Sequence, residues 1–252
     1  MARAASPGLR GNGAYAVLAT RPLHVLAFLS PLILLYEIGS MQYLAGRGAE
    51  TIGARGILGS FFHTFGVAGL HLPPVTLVVV LLAWHLALRD PPRLRPVVLL
   101  GMGAESALWS VPLLVVGLAM AAGAHAARVD GSLAGYSWQA RLTVAVGAGL
   151  YEELLFRLVL ITAIHFALSD LLKLRSMPAH VIAILASAAA FALYHNVTLA
   201  DASQTRLLLF YMLAGSYFGA LFVLRGFGIV VATHAMYDIA ALLIFDHGRS
   251  AG

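Results

Sequence analysis

The chain contains no cysteine. Disulfide frameworks, thiol nucleophiles and cysteine-ligated zinc are therefore excluded, and nothing in the sequence speaks to the redox state of its compartment. Charge is the second shortage. Only 11% of the 252 residues are Asp, Glu, Lys or Arg, whereas an ordinary soluble domain is about a quarter charged. Such a chain cannot clothe a water-facing surface of normal polarity. Clustered basic charge is missing as well. The 16 Lys and Arg against 11 Asp and Glu leave a net charge of +5, but these residues lie in short segments between apolar runs. No basic patch exists for nucleic acid to use, so nucleic acid is not expected as a partner.

What is present in abundance is apolar sequence: 60% of residues, with a mean hydropathy of +0.87. A helix crossing about 30 Å of hydrocarbon needs about 20 mostly apolar residues. Seven stretches qualify, at 22–45, 73–89, 97–123, 140–165, 178–199, 205–224 and 227–246. The expected fold is all-α, a polytopic membrane bundle of about seven transmembrane helices. Residues 1–21 form a cytoplasmic tail and 22–246 a single membrane domain. Pro73, Pro74, Pro91, Pro92, Pro96 and Pro178 fall at or near span starts, where a missing N–H does least harm. Pro112 lies inside the third span and predicts a kink. The stretch from Ile52 to Leu72, mixed in Gly, His and Phe, either lies on the membrane surface or dips into it.

Basic residues set the orientation. Arg3, Arg10 and Arg21 precede the first span. Arg89, Arg93 and Arg95 follow the second, Lys173 and Arg175 the fourth, and Arg225 the sixth. The opposite loops carry fewer: Arg47 and Arg55, then Arg128, then Arg206. The N-terminus is expected in the cytoplasm and the C-terminus outside. The Ala- and Arg-rich composition points to a GC-rich bacterium and its inner membrane.

An ionisable side chain at the bilayer centre costs at least about 2.5–3.5 kcal/mol, so those in mid-span are the informative ones. They are Glu37, Glu105, Glu152, Glu153, Arg157, His195, His234 and Asp238. Glu153 and Arg157 stand at i, i+4, about 40° apart on a helix, in the favourable order for an ion pair. Glu152 points about 140° away from Arg157 and is left without that partner, which suits a proton-transferring group. Phe191 and His195 repeat the i, i+4 spacing, and so do His234 and Asp238. Taken alone, each set also reads as structural hydrogen bonding within a bundle, and Glu37 and Glu105 receive only that reading.

Three helices each contribute an acid or a histidine, in a set order. Glu152-Glu153-x-x-x-Arg157, Phe191-x-x-x-His195 and His234-x-x-x-Asp238 together resemble the motifs of the type II CAAX prenyl proteases and their bacterial relatives, the CPBP or Abi family of glutamic intramembrane endopeptidases. The resemblance covers roughly 140–246. It implies a peptidase in which Glu152 and His195 activate water, with His234 and Asp238 at the tetrahedral oxyanion. Glu153, Arg157 and Phe191 would be supporting residues. No metal and no cofactor are implied, and the partners would be the bilayer and a membrane-associated or lipid-anchored protein or peptide. Where Asn stands in the last position its amide can donate to the oxyanion. Asp238 can do so only when protonated, and ionised it can only orient His234.

Three alternatives use the same residues: a zinc-dependent intramembrane protease, a proton-coupled transporter, and a non-catalytic immunity or scaffold protein. The chain has no His-Glu-x-x-His pair and no repeat between its halves, which weakens the first two. Gly215-x-x-x-Gly219 offers a close-packing helix face, within the chain or towards another. The span boundaries also predict depths, at 1.5 Å per residue. Glu152 and His234 come out about 12 and about 10 Å from the cytoplasmic boundary, but His195 at about 24 Å.

Overall fold

The structure, a computed structural model, describes residues 12–44, 53–64, 72–88, 93–121, 135–195 and 202–247. Arg3, Arg10, Arg47, Arg89 and Arg128, which carry part of the orientation argument, lie outside the described residues, as do Pro91, Pro92 and residues 196–199 of the expected fifth span. Among the described residues there is no strand. A short α1 (Asn12–Ala19) precedes α2 (Pro22–Leu44). Then come α3 (Gly53–Thr64), α4 (Leu72–Leu88) and α5 (Pro96–Ala121). The long α6 (Trp138–Leu171) leads to α7 (Ser176–Tyr194), α8 (Ala202–Arg225) and α9 (Phe227–His247).

Six of these, α2 and α5 to α9, are long and apolar enough to cross a membrane, and α4 is a shorter apolar helix. The protein is an integral membrane helical bundle of roughly seven spans. Its exterior carries Leu34, Val97, Leu100, Leu108, Leu193 and Leu224, all well exposed, while Glu153, Arg157, Ser106, Ser187 and Thr233 are sealed inside. That inversion suits a lipid solvent, where backbone and polar groups must be satisfied within the bundle. Ser187 Oγ donates to the Phe156 carbonyl across α6 and α7 at 2.8 Å, and Ser106 Oγ donates to the Ile229 carbonyl across α5 and α9. Helices α2 and α5 run on through Pro31 and Pro112.

Helix α9 is the hub. Its most apolar window is 56% buried, against 22–33% for the other spans, and Ile229 to Ala232 are all sealed. Small residues allow this. A Cβ at Gly149 of α6 would meet the Ala235 nitrogen at 2.9 Å and the Val231 carbonyl at 3.0 Å. Gly215 lies against Ala188 of α7 and Gly219 against Ile184 and Ile161, so the Gly215-x-x-x-Gly219 face is used within the chain. Helices α8 and α9 are joined by one residue, Gly226, at φ +84°, a left-handed conformation that glycine adopts without steric cost.

Two boundaries differ from the sequence expectation. Helix α6 continues past residue 165 to Leu171, because Phe166, Leu168 and Leu171 keep the run apolar and no breaker intervenes. Helix α7 ends at Tyr194, with His195 as its C-cap. Glu152 and His195 thus stand the same number of residues from the Leu171–Ser176 turn, on the two arms of one hairpin.

Candidate active site

Helix α6 changes character at the first motif. It is α-helical to Glu152 and π-helical from Glu153 to Ile161. A π-turn closes i→i+5, which brings residues i and i+4 nearly into line along the helix. Arg157 Nη1 lies 3.0 Å from Glu153 Oε1, and both side chains are fully buried. The guanidinium also donates from Nη2 to the Gly215 carbonyl at 3.4 Å. Its plane faces Phe191 at 4.4 Å and Phe218 at 5.4 Å, measured from Cζ to the ring centroids. The aromatic faces supply the negative potential that further oxygens would otherwise provide.

Glu153 has a second partner that the sequence reading did not assign. Oε1 lies 2.7 Å from His234 Nδ1, so α6 and α9 are joined through Arg157, Glu153 and His234. The imidazole is stacked on Phe218 with centroids 4.6 Å apart. Its other nitrogen, Nε2, faces Asp238 Oδ2 at 3.4 Å and Glu152 Oε2 at 3.9 Å. The close contact that fixes the ring therefore comes from Glu153, with Asp238 as a looser neighbour.

The two adjacent glutamates are sorted by helix face. Glu153 is at 0% exposure, while Glu152 keeps 8% of its side chain accessible and Asp238 keeps 26%. Glu152 has no hydrogen bond among the described residues; its nearest charged partner is His234. Of the two glutamates it is the one with side-chain surface left exposed.

His195 joins the site through aromatic packing. Its ring lies 4.6 Å from Phe191, whose own ring is 6.2 Å from His234. It is stacked on Tyr211 at 3.9 Å. Nδ1 lies 2.8 Å from the Phe191 carbonyl. A carbonyl only accepts, so Nδ1 carries the proton and a neutral ring presents Nε2 as its acceptor. The three expected motifs are thus brought together, with Phe191 between Arg157, His195 and His234. Among the described residues no three His, Asp or Glu side chains are arranged to hold a metal ion.

Glu37 and Glu105 have partners elsewhere in the bundle. Tyr151, next to Glu152, donates to Glu37 at 3.4 Å. Glu105 takes Arg225 through both oxygens, the hydroxyl of Tyr15 at 2.6 Å and the indole of Trp109 at 3.1 Å. Burial, reinforced by the Glu105 carboxylate, pushes the Tyr15 phenol upward. This cluster fastens α1 to α5 and α8. A cavity of about 320 Å³, lined by Trp84, His165, His180, Phe222 and Phe227 among others, includes none of the motif residues.

Sequence reasoning missed Gly149 and Tyr194. Gly149 had a signal, a small residue on a helix face that must approach closely. Tyr194 had none beyond its place beside His195.

Compared with known proteins, residues 134–240 match the family model described as type II CAAX prenyl endopeptidase Rce1-like. No curated protein and no solved structure matches the chain.

Proposed function

Since residues 134–240 match the family model of the Rce1-like type II CAAX prenyl endopeptidases, we propose that the chain is a glutamic intramembrane endopeptidase with Glu152 as its general base. The observation that carries this reading is the sorting of the two carboxylates. Glu153 is spent on Arg157 and His234 and is fully sealed, whereas Glu152 makes no hydrogen bond among the described residues and keeps 8% of its side chain exposed.

In this mechanism Glu152 takes a proton from a water that His195 Nε2 helps to orient. The hydroxide attacks the scissile carbonyl carbon, and the C=O electron pair moves onto oxygen. His234, doubly protonated, keeps Nδ1–H on Glu153 and turns Nε2–H toward that oxyanion, the arrangement that gives large rate gains in acyl transfer. Glu152 then delivers its proton to the leaving nitrogen as the C–N bond breaks, releasing an amine and a carboxylic acid. Asp238, ionised, steadies His234. Arg157 and Glu153 hold the α6 side of the site, with Phe191 packed between them and His195.

The substrate is a membrane-associated or lipid-anchored protein, and the catalytic motifs occupy 140–246 of one membrane domain. The protein sits in a bacterial inner membrane with its N-terminus in the cytoplasm. A reporter on the C-terminus active only in the cytoplasm would overturn that orientation. The function is tested by comparing membrane-protein termini in cells carrying the wild type, Glu152→Gln or His195→Ala. Termini present only with the wild type are expected; cleavage retained by both variants excludes this site.

A further inference from the structure

We infer that Tyr194 is a further catalytic residue of this site, whose phenolic O–H, polarised by the first turn of α3, donates to the oxyanion that Asp238 cannot serve. The inference rests on the peptidase reading above and adds a donor to it.

Tyr194 is the last residue of α7, immediately before His195. Its ring lies 5.0 Å from the His195 ring and 5.4 Å from that of Phe156. Phe156 is one turn beyond Glu152 on α6. The Tyr194 ring therefore packs between the helix that carries the proposed base and the histidine proposed to orient the water.

The state of that hydroxyl is unusual. Its oxygen accepts the Ala54 N–H at 2.8 Å. That donor is in the first turn of α3, where backbone N–H groups have no partner inside their own helix and the helix dipole is positive. A hydroxyl that accepts such bonds becomes a better donor, because hydrogen bonds in a chain polarise one another. Among the described residues no acceptor takes its own proton. A strut holding α3 in place would need only the acceptor side of this phenol.

The approach is possible only because residue 53 is glycine. A Cβ there would lie 2.8 Å from the Tyr194 hydroxyl and 2.9 Å from its Cε2. The segment whose placement the sequence left open thus ends against the site, with a glycine at its point of contact. The need is also specific. Ionised Asp238 repels an oxyanion, so His234 alone would otherwise serve it, and a neutral phenol donates without a proton having to be lost.

The test uses the full chain in liposomes and a fluorescence-quenched peptide spanning a junction cut in wild-type cells and not in Glu152→Gln cells. Tyr194→Phe is expected to lower kcat about 100-fold with little change in KM, the scale seen when one oxyanion donor is removed. Gly53→Ala keeps the hydroxyl but displaces it, and should lower kcat about tenfold. Difluorotyrosine at 194 keeps the shape and makes the phenol more acidic. Its kcat should fall with rising pH where the wild type is flat, because a phenolate cannot donate. A strut alone would show no such pH dependence. Tyr194→Phe with wild-type kcat, beside an inactive Glu152→Gln, overturns the Tyr194 assignment alone. Wild-type termini produced by Glu152→Gln overturn the peptidase site, and the assignment falls with it.

Discussion

Replacing Gly149 by alanine should damage both the fold and the chemistry, and the structure sets the scale. The new Cβ would meet the Ala235 nitrogen at 2.9 Å, the Ala235 Cβ at 3.0 Å and the Val231 carbonyl oxygen at 3.0 Å. Two of these are main-chain atoms and the third is a methyl fixed to the main chain, so no rotamer change relieves the contact. Comfortable separation is about 3.5–4.0 Å, so α9 must retreat by roughly 0.6–1 Å. His234 directly precedes Ala235, and its bond to Glu153 is 2.7 Å now. The same retreat along that bond would stretch it to roughly 3.3–3.7 Å, at or past the limit of a hydrogen bond. Overpacking of this kind costs about 1–3 kcal/mol, and a 1 Å misplacement in a catalytic group can cost about 10²-fold in rate. The assay is thermal unfolding of the full chain in detergent together with cleavage rate in liposomes. Gly103→Ala is the control, since its Cβ would meet nothing nearer than Phe28 at 4.0 Å. If Gly149→Ala melts and cleaves like Gly103→Ala, the spacing of α6 and α9 is not set at this glycine and the reasoning fails.

Glu153→Gln strands the buried Arg157 charge and should cost about 3–5 kcal/mol, while Glu152→Gln should melt close to the wild type; equal melting temperatures for the two would contradict the division of roles. Arg157→Lys should behave nearly as badly as Glu153→Gln, because an ammonium cannot lie flat on Phe191 and Phe218 and also reach the Gly215 carbonyl, and a wild-type melt for this variant argues against that account. Arg225→Gln removes a partly buried pair on Glu105 and should cost about 1 kcal/mol without changing kcat; its readout is faster limited proteolysis after α1, and unchanged proteolysis would show that the cluster does not hold α1 down. Cleavage should continue at full rate in excess chelator, and loss of activity that added zinc restores would support the metal-dependent alternative.

The membrane bundle was readable from composition and apolar run length, because those quantities are sums over many residues and tolerate local error. The first motif was readable too, since i, i+4 spacing places Glu153 on Arg157 whatever the rest of the chain does. Contacts between helices were not. Nothing local tells that His234 turns Nδ1 to Glu153 rather than relying on Asp238 four residues on, because that choice depends on how closely α9 approaches α6 at Gly149. The end of α6 was missed for a related reason: a span end inside continuous apolar sequence has no chemical marker, and Phe166 to Leu171 simply extend the helix. The contact of Ala54 with Tyr194 was equally hidden, since it pairs residues far apart in sequence through a backbone N–H that any residue but proline possesses.

Loss of cleavage alone cannot assign roles in a cluster this compact. Glu153, Arg157, His234 and Gly149 form one connected unit, so substituting any of them should reduce activity by moving the others. Glu152 and Tyr194 are different in kind. Glu152 makes no hydrogen bond among the described residues, and Glu152→Gln is nearly isosteric, so a dead Glu152→Gln enzyme with an unaltered melt isolates chemistry from architecture. Tyr194 does brace α3, and there the separation has to come from pH, which a brace ignores and a donor obeys. The pairing of one silent residue with one titratable residue is what makes the site testable before its substrate is named. Under the proposed mechanism both measurements read the same oxyanion from opposite sides, one through the proposed base and one through the proposed donor.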